Sequence, residues 1–166
     1  MSDGTIFYNY MSSPFGQLEL GATNDHLYSI RFESEHLHMV RVNKILENTQ
    51  QQLTEYFDGS RLDFDLPLYS AGTCFQKQVW QQLCCIPYGT TCSYGDIAQK
   101  IGRPKAVRAV GAANGRNRIA IIVPCHRVIG ANGSLTGYAW GIAVKTALLN
   151  HEQQIQHLLE GNTFAN

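Results

Sequence analysis

The N-terminal part of the chain alternates short apolar segments with turn-forming residues. Residues 6–11, 18–20 and 27–32 are rich in strand-forming residues or alternate between apolar and polar, and Gly, Pro, Asn and Asp residues separate them. Between residues 39 and 57 the apolar positions recur at helical spacing. This pattern predicts three β-strands followed by a helix, with residues 62–69 extended after it.

The pattern becomes mainly helical after residues 70–73, where we place a domain boundary. Thr73 is a good N-cap for a helix whose apolar face carries Phe75, Val79, Trp80 and Leu83. Ser93 can cap a second helix over 94–101, and a glycine-containing turn leads to a third over 105–114. Two short helices joined by such a turn are typical of a helix-turn-helix motif, although structural helix pairs that never contact DNA share the pattern.

The charges are distributed unevenly along a chain whose formal net charge is zero. Residues 1–72 contain four basic and ten acidic side chains, whereas residues 73–166 contain nine basic and three acidic ones. Between Asp96 and Glu152 there are eight basic residues and no acidic one. Such a stretch gives a positive surface suited to phosphate groups, so nucleic acid is a candidate partner of the second half.

Length and composition indicate a globular protein with one domain or two small ones. The chain has 166 residues, 44% of them hydrophobic, and no apolar run approaches the ~20 residues of a membrane helix. A secretory signal pattern is not seen. Five cysteines, two of them adjacent, suit no disulfide framework, and His36 and His38 lack zinc-ligand spacing. We therefore expect a cytoplasmic protein, nucleoid-associated if bacterial, with free thiols, no metal and no membrane association.

A cysteine follows the most apolar run of the second half and is the candidate reactive group. Residues 119–123 resemble a buried strand and lead through Pro124 to Cys125. Because only the thiolate of a cysteine reacts, we expect the neighbouring His126 and Arg127 to favour the anion. Adjacent side chains need not point together, so His126 is expected to act through a water. A carboxylate is needed to orient the imidazole.

The carboxylates downstream of the cysteine are Glu152 and Glu160, and Glu152 follows an amphipathic helical segment. The other four cysteines are interpreted as small buried apolar residues, which is the commonest role of an unpaired cysteine. These four are Cys74, Cys84, Cys85 and Cys92.

Residues 124–130, with the sequence Pro-Cys-His-Arg-Val-Ile-Gly, resemble the active-site signature of the O6-alkylguanine-DNA alkyltransferases, also called methylated-DNA–protein-cysteine methyltransferases. The resemblance continues, in order, over about residues 73 to 152. It is carried by Phe75-Gln76, Val79-Trp80, Ile86-Pro87-Tyr88-Gly89, Ser93-Tyr94-Gly95, Arg108-Ala109-Val110-Gly111, Ala113-Asn114, Gly137-Tyr138 and the segment from Lys145 to Glu152.

The resemblance implies an α+β protein with two domains. Residues 1–72 match loosely and would form the family's ribonuclease-H-like α/β domain. Residues 73–166 would form a mostly helical domain that holds the helix-turn-helix and the active-site cysteine.

The family resemblance also implies a role for each matching residue. Cys125 would accept the alkyl group from O6 of guanine, and His126, oriented by Glu152, would act as its base through a water. Asn117 would hold the active-site loop, and Tyr94 would hydrogen-bond the guanine. The product is a thioether, so each chain would act once, irreversibly, and without a cofactor. O4-alkylthymine stays open as a second substrate.

DNA recognition by the family implies that the damaged nucleotide leaves the duplex, because O6 lies inside the base stack. Arg108 would enter the stack in its place. Further DNA-binding candidates are Lys105, Ala106, Ala109, Ala113, Arg116, Arg118 and Arg127. Candidates for the substrate pocket are Val128, Tyr138, Ala139, Trp140 and Lys145. The implied partner is double-stranded DNA that contains O6-alkylguanine, bound by a monomer.

Two positions depart from the family pattern. Arg118 stands where the family usually has proline, and it adds a candidate phosphate contact. Trp140 stands where the family usually has glycine, and we expect its indole to change the tolerance for bulky adducts by narrowing the pocket or stacking on a substrate ring. The alternative is that Trp140 lies flat on the surface.

Three other functions compete with alkyl transfer. A non-transferring relative would bind alkylated DNA but lack the cysteine, which is present here. A transcription regulator would use the helix-turn-helix alone and leave Cys125 and Glu152 without a role. A cysteine hydrolase would need an oxyanion hole, and no glycine-rich donor loop precedes the cysteine.

Overall fold

The computed structural model describes residues 4–163 and contains two compact units. The first comprises the chain up to Ala71 together with Arg118–Ala120, and the second comprises Gly72–Asn117 and the chain from Ile121 onward. The three-stranded sheet lies in the first unit and most of the helices lie in the second, so the α+β class predicted from the sequence is confirmed.

The first unit is an antiparallel sheet with one helix. Strands β1 (Phe7–Ser13), β2 (Gly16–Ala22) and β3 (Leu27–Phe32) pair in the order β1-β2-β3. Helix α1 (Lys44–Asp58) contacts all three strands. The core of the first unit is formed by fully buried apolar side chains, among them Leu18, Leu20, Ile30, Leu46 and Leu53.

Helix α1 begins five residues later than predicted. The Asn43 side chain accepts a hydrogen bond from the amide of Leu46 and therefore caps the helix at this point. The apolar side chains before it, including Met39 and Val42, are exposed rather than on a buried helical face. At the other end Gly59 takes the left-handed conformation that closes the helix.

The second unit is mainly helical. It contains α2 (Cys74–Cys84), α3 (Tyr94–Lys100), α4 (Val107–Gly115) and α5 (Ile142–Thr163). A short parallel pair joins β4 (Cys92–Ser93) to β5 (Val128–Ile129). The predicted caps are confirmed, because Thr73 and Ser93 each form a reciprocal capping box with the residue three positions later. Helix α4 begins at Val107, two residues later than predicted.

Helix α4 packs against both α2 and α3. The indole nitrogen of Trp80 on α2 donates a hydrogen bond of 2.9 Å to the carbonyl of Ala113 on α4. Gly102, with φ of 74°, lies in the turn after α3, where a side chain would be strained. These contacts fix α4 on its neighbours and leave its opposite side exposed.

The predicted strand over residues 119–123 is wrong. Ile119 forms an isolated parallel bridge with Ile30 in the first unit and belongs to no named strand. The chain then turns, and Ile121 has a φ of 72°, which is incompatible with an extended strand. The residues of the run are buried all the same, so their apolar character reflects burial and not sheet pairing. Within residues 4–163 no helix is long and apolar enough to cross a membrane.

Candidate active site

Cys125 begins a single turn of 3-10 helix, Cys125–Arg127, and its side chain is buried. The side-chain amide of Asn117 donates hydrogen bonds to the Cys125 Sγ at 3.1 Å and to the carbonyl of Val123 at 2.8 Å. The side-chain amide of Asn114 lies 3.4 Å from the Cys125 carbonyl. Two amide side chains therefore fix both the sulfur and the backbone of the reactive residue.

Asn114 had no site role in the sequence-based prediction. The sequence feature that could have indicated a role is its position, because Asn114 is a polar residue on the same side of α4 as the apolar Val110. Both residues are buried in the structure. A buried polar side chain requires a partner, and here that partner is the turn that carries Cys125.

A buried carboxylate holds the two residues that follow the cysteine. The Glu152 Oε2 lies 2.7 Å from His126 Nε2, and the Glu152 Oε1 accepts a 2.7 Å hydrogen bond from Arg127 Nε. The Arg127 guanidinium also donates to the carbonyl of Ile86 at 2.8 Å. Neither His126 nor Glu152 is exposed to solvent. This geometry leaves His126 Nδ1 as the imidazole atom that can accept a proton.

The predicted position of Glu152 after a helix is wrong, because Glu152 lies within α5. The prediction that Arg127 binds DNA is also contradicted. Its guanidinium is buried in the ion pair with Glu152 and is not available to a phosphate.

The electrostatics of the resting site differ from the expected stabilised thiolate. Burial raises the pKa of the Cys125 thiol to about 11, and the hydrogen bond from Asn117 and the charge of Lys145 only partly oppose it. Burial also lowers the pKa of His126, despite the nearby carboxylate of Glu152. The resting site therefore combines a protonated thiol with a neutral imidazole that is ready to accept its proton.

The carboxylate itself stays ionised. Burial acts to raise the pKa of Glu152, but hydrogen bonds and charges from His126 and Arg127 outweigh burial and hold the pKa well below its usual range. A fixed negative charge next to His126 stabilises the imidazolium that would form during proton transfer.

The loop between β5 and α5 lines one side of a pocket in the second unit. The carbonyl of Thr136 accepts hydrogen bonds from Tyr94 Oη at 3.1 Å and from Lys145 Nζ at 3.5 Å. An open pocket of about 420 Å³ is lined by Tyr94, Gly111, Gly115, Thr136, Gly137, Tyr138 and Ala139. Lys145 is fully buried, and burial lowers its pKa.

Comparison with known proteins identifies the chain. Residues 74–154 match the family described as 6-O-methylguanine DNA methyltransferase, DNA binding domain, and residues 6–69 match the ribonuclease-like domain of the same family. The chain belongs to the 6-O-methylguanine DNA methyltransferase family. The resemblance carried by residues 124–130 is thereby confirmed.

Named relatives of this methyltransferase family cover most of the chain. A methylated-DNA–protein-cysteine methyltransferase of Mycobacterium tuberculosis is 48% identical over 89% of this chain and 93% of its own. One from Methanosarcina acetivorans is 47% identical over 89% of this chain and 98% of its own. The crystal structure of Mycobacterium tuberculosis OGT in complex with DNA matches with a TM-score of 0.83 and 47% identity, covering 90% of this chain and 94% of that one.

The pocket residues expected of a methyltransferase of this family fall into two groups. Tyr138 and Ala139 line the pocket, and Trp140 packs edge-on against Tyr138 with ring centroids 5.3 Å apart. Val128, by contrast, is fully buried and pairs with Cys92 of β4. Trp140 is half-buried, and its effect on the tolerance for bulky adducts stays a prediction.

The DNA-binding candidates also divide by exposure. Lys105, Arg108, Ala109 and Arg116 are exposed on or beside α4, and Ala106 is half-buried. Ala113 is buried, so the expected contact of its side chain with DNA is contradicted. Arg118 belongs to the first unit, where its guanidinium donates to Tyr28 Oη at 2.9 Å.

The other four cysteines are more exposed than the sequence predicts. Cys74, Cys84 and Cys85 are exposed and Cys92 is half-buried, so the interpretation of these four as buried apolar residues is wrong. Within residues 4–163, no group of three or more His, Cys, Asp or Glu side chains is placed to hold a metal ion.

Proposed function

We propose that this protein repairs DNA by direct reversal, moving the alkyl group from O6 of guanine to the sulfur of Cys125. The observation that carries the proposal is a buried thiol fixed by Asn117 and followed by an imidazole that is bound to Glu152. The named relatives act on methylated DNA through a cysteine, and a solved relative was crystallised with DNA. Double-stranded DNA that contains O6-alkylguanine is the proposed partner of a monomer, in the cytoplasm where such DNA lies.

The first step of the proposed reaction is ionisation of the thiol. Because the pKa of Cys125 is raised to about 11, few thiolates exist at neutral pH without a base. His126 Nδ1 accepts the proton through a water, and Glu152 stabilises the imidazolium through Nε2. His126 is therefore the proposed base, and Nδ1 is its proton-accepting atom.

Transfer then forms one bond and breaks another. The Cys125 sulfur attacks the alkyl carbon, the carbon–sulfur bond forms, and the bond from that carbon to guanine O6 breaks. The guanine keeps the electron pair of the broken bond, and the hydroxyl of Tyr94 in the pocket wall is the proposed hydrogen-bond donor to this anion. The anion then takes a proton from water, and the imidazolium of His126 returns its proton to water, so the proton that Cys125 loses balances the one that guanine gains. No group of the site can cleave the resulting thioether, so each chain acts once.

We propose that residues 73–166 supply both DNA binding and chemistry, with residues 1–72 as the ribonuclease-like domain. Helix α4, as the second helix of a helix-turn-helix, would contact the duplex through the exposed Arg108 and Ala109, together with Lys105 just before it. Arg108 would fill the space left by the extruded nucleotide. Phosphate contacts by Arg116 and Arg118 would add affinity without base specificity.

Intact-mass spectrometry tests the proposed function. The protein is incubated with a duplex that carries one O6-methylguanine, and the expected result is the gain of one methylene mass per chain. Cys125→Ala should gain nothing and still bind the duplex, whereas Cys92→Ala should react as the unaltered protein does. Tight binding without a mass gain would instead support a non-transferring relative. A duplex with O4-methylthymine decides whether that base is a second substrate.

A further inference from the structure

The hydroxyl of Tyr138 is a buried polar group with no role in the steps above. It makes no hydrogen bond to another residue in the described part of the chain, although the atom is shielded from solvent. The ring lines the pocket and packs edge-on against Trp140. Leaving a buried hydroxyl unsatisfied destabilises the folded protein, whereas a phenylalanine would pack as well without that penalty.

His126 Nδ1 is a second buried polar atom without a hydrogen bond to the described residues. Its chemistry complements that of the phenol. Nδ1 of the neutral imidazole is an acceptor, because Nε2 faces the Glu152 carboxylate at 2.7 Å. The phenol is a donor, because burial and the charges of Cys125 and Glu152 raise the pKa of Tyr138 far above its ordinary value. The charge of Glu152 acts on both groups, the charge of Cys125 acts on Tyr138, and Cys125 directly precedes His126 on the 3-10 turn.

A water between Cys125 and His126 needs a third partner to be held in one orientation. Buried waters make about three hydrogen bonds to polar groups that are otherwise unsatisfied. The thiol donates one hydrogen bond to such a water, and Nδ1 of His126 accepts one from it. The second lone pair of the water needs a hydrogen-bond donor. The Tyr138 hydroxyl is a buried donor that has no hydrogen bond to the described residues.

We propose that Tyr138 is a positioning residue for the transfer, whose hydroxyl orients the water that carries the proton from Cys125 to His126. This inference rests on the proposed function. The proton leaves the sulfur for the water as another passes from the water to Nδ1, so thiolate and imidazolium form together. The hydrogen bond of the phenol keeps the water in line during this exchange and is not itself broken or ionised.

Other titratable groups lie around the proposed path of the proton from Cys125 to His126, and each could affect the pH dependence of transfer. They are Arg127 on the 3-10 turn, Lys145 and Glu152 on α5, and Tyr94 on α3. None of them is altered in the variants below.

The test compares Tyr138→Phe with the unaltered protein in single-turnover methyl transfer, from neutral to alkaline pH. We expect transfer to be about 10- to 100-fold slower near neutral pH, the effect of one lost hydrogen bond to a charged relay. The deficit should shrink as the pH approaches the Cys125 pKa of about 11, where the thiol ionises without the relay. A merely structural role would slow transfer by the same factor at every pH, and that result would overturn the inference.

Two controls keep the test decisive. Tyr56→Phe removes a hydroxyl from a fully buried tyrosine of the first unit and should leave the transfer rate and its pH profile unchanged. Placing 3,5-difluorotyrosine at position 138 keeps the ring and strengthens the donor, so transfer should match or exceed the unaltered rate. A difluorotyrosine protein as slow as Tyr138→Phe would contradict the relay. If the unaltered protein itself transfers no methyl group, the proposed function fails rather than this inference.

Discussion

His126 Nε2 and the Glu152 Oε2 lie 2.7 Å apart, and both side chains are completely buried. The carboxylate also binds the guanidinium of Arg127 on the same 3-10 turn. Helix α5 is thereby fixed to the turn that presents Cys125. One acidic residue serves both the proposed proton transfer and the folding of the second unit.

Glu152→Gln should therefore lower both the free energy of unfolding and the rate of methyl transfer. The amide cannot neutralise the buried Arg127, and breaking a buried ion pair by removing one partner costs about 3–5 kcal/mol. Urea unfolding should show this loss, whereas Glu47→Gln at an exposed pair on α1 should change stability by less than about 0.5 kcal/mol. A Glu152→Gln protein as stable as the unaltered one would show that the pair contributes little.

Asn117→Ala should make Cys125 harder to ionise. The amide hydrogen bond to Sγ at 3.1 Å acts to lower the thiol pKa, so its loss should move that pKa above about 11. The rate of Cys125 alkylation by iodoacetamide as a function of pH measures this shift. Asn132→Ala on the exposed loop is the matched control and should not change the profile. A downward shift in Asn117→Ala would contradict the assigned hydrogen bond.

Ionisation of Cys125 should reduce stability at alkaline pH. The thiol pKa rises from 9.0 to about 11 on folding, so between these values the unfolded chain releases a proton that the folded chain retains. Stability must then fall as pH rises, by about 2–3 kcal/mol in all. Cys125→Ser lacks this titration, so the difference in unfolding free energy between the two proteins should change across this range. A constant difference would show that the thiol is not perturbed.

Trp140→Gly should affect bulky adducts more than small ones. The indole packs edge-on against Tyr138, a residue that lines the pocket. Removing it should change the transfer rate from benzylated guanine more than that from methylated guanine. Competition between the two DNA duplexes measures the ratio, and equal changes for both substrates would remove Trp140 from substrate selection.

Lys105→Ala should weaken binding to every DNA sequence alike. The exposed ammonium beside α4 is expected to contact a phosphate, and its loss should reduce the slope of log affinity against log salt by about one. Lys44→Ala, an exposed lysine of the first unit, is the control. An unchanged salt slope for Lys105→Ala would place the duplex elsewhere.

The sequence contained the local signals of the fold and of the reaction centre. Thr73 and Ser93 marked helix starts because capping depends on neighbouring residues alone. The apolar run over residues 119–123 predicts a strand, but its apolar character reflects burial and not sheet pairing. The sequence around Arg127 does not reveal its ion pair, because the partner Glu152 lies 25 residues away in sequence. Such long-range pairs, and the side of α4 that buries Ala113, are set by tertiary packing and are not encoded in any short segment.

The destination of an isotope-labelled methyl group tests the central claim most directly. A duplex that carries O6-methylguanine labelled in the methyl group is supplied in molar excess over the protein, and the digested protein and DNA are analysed by mass spectrometry. The expected result is label on the peptide that contains Cys125, one label per chain at most, with an equal amount of unmodified guanine restored in the DNA. Label released as methanol, label on another residue, or several guanines restored per chain would contradict irreversible transfer to Cys125.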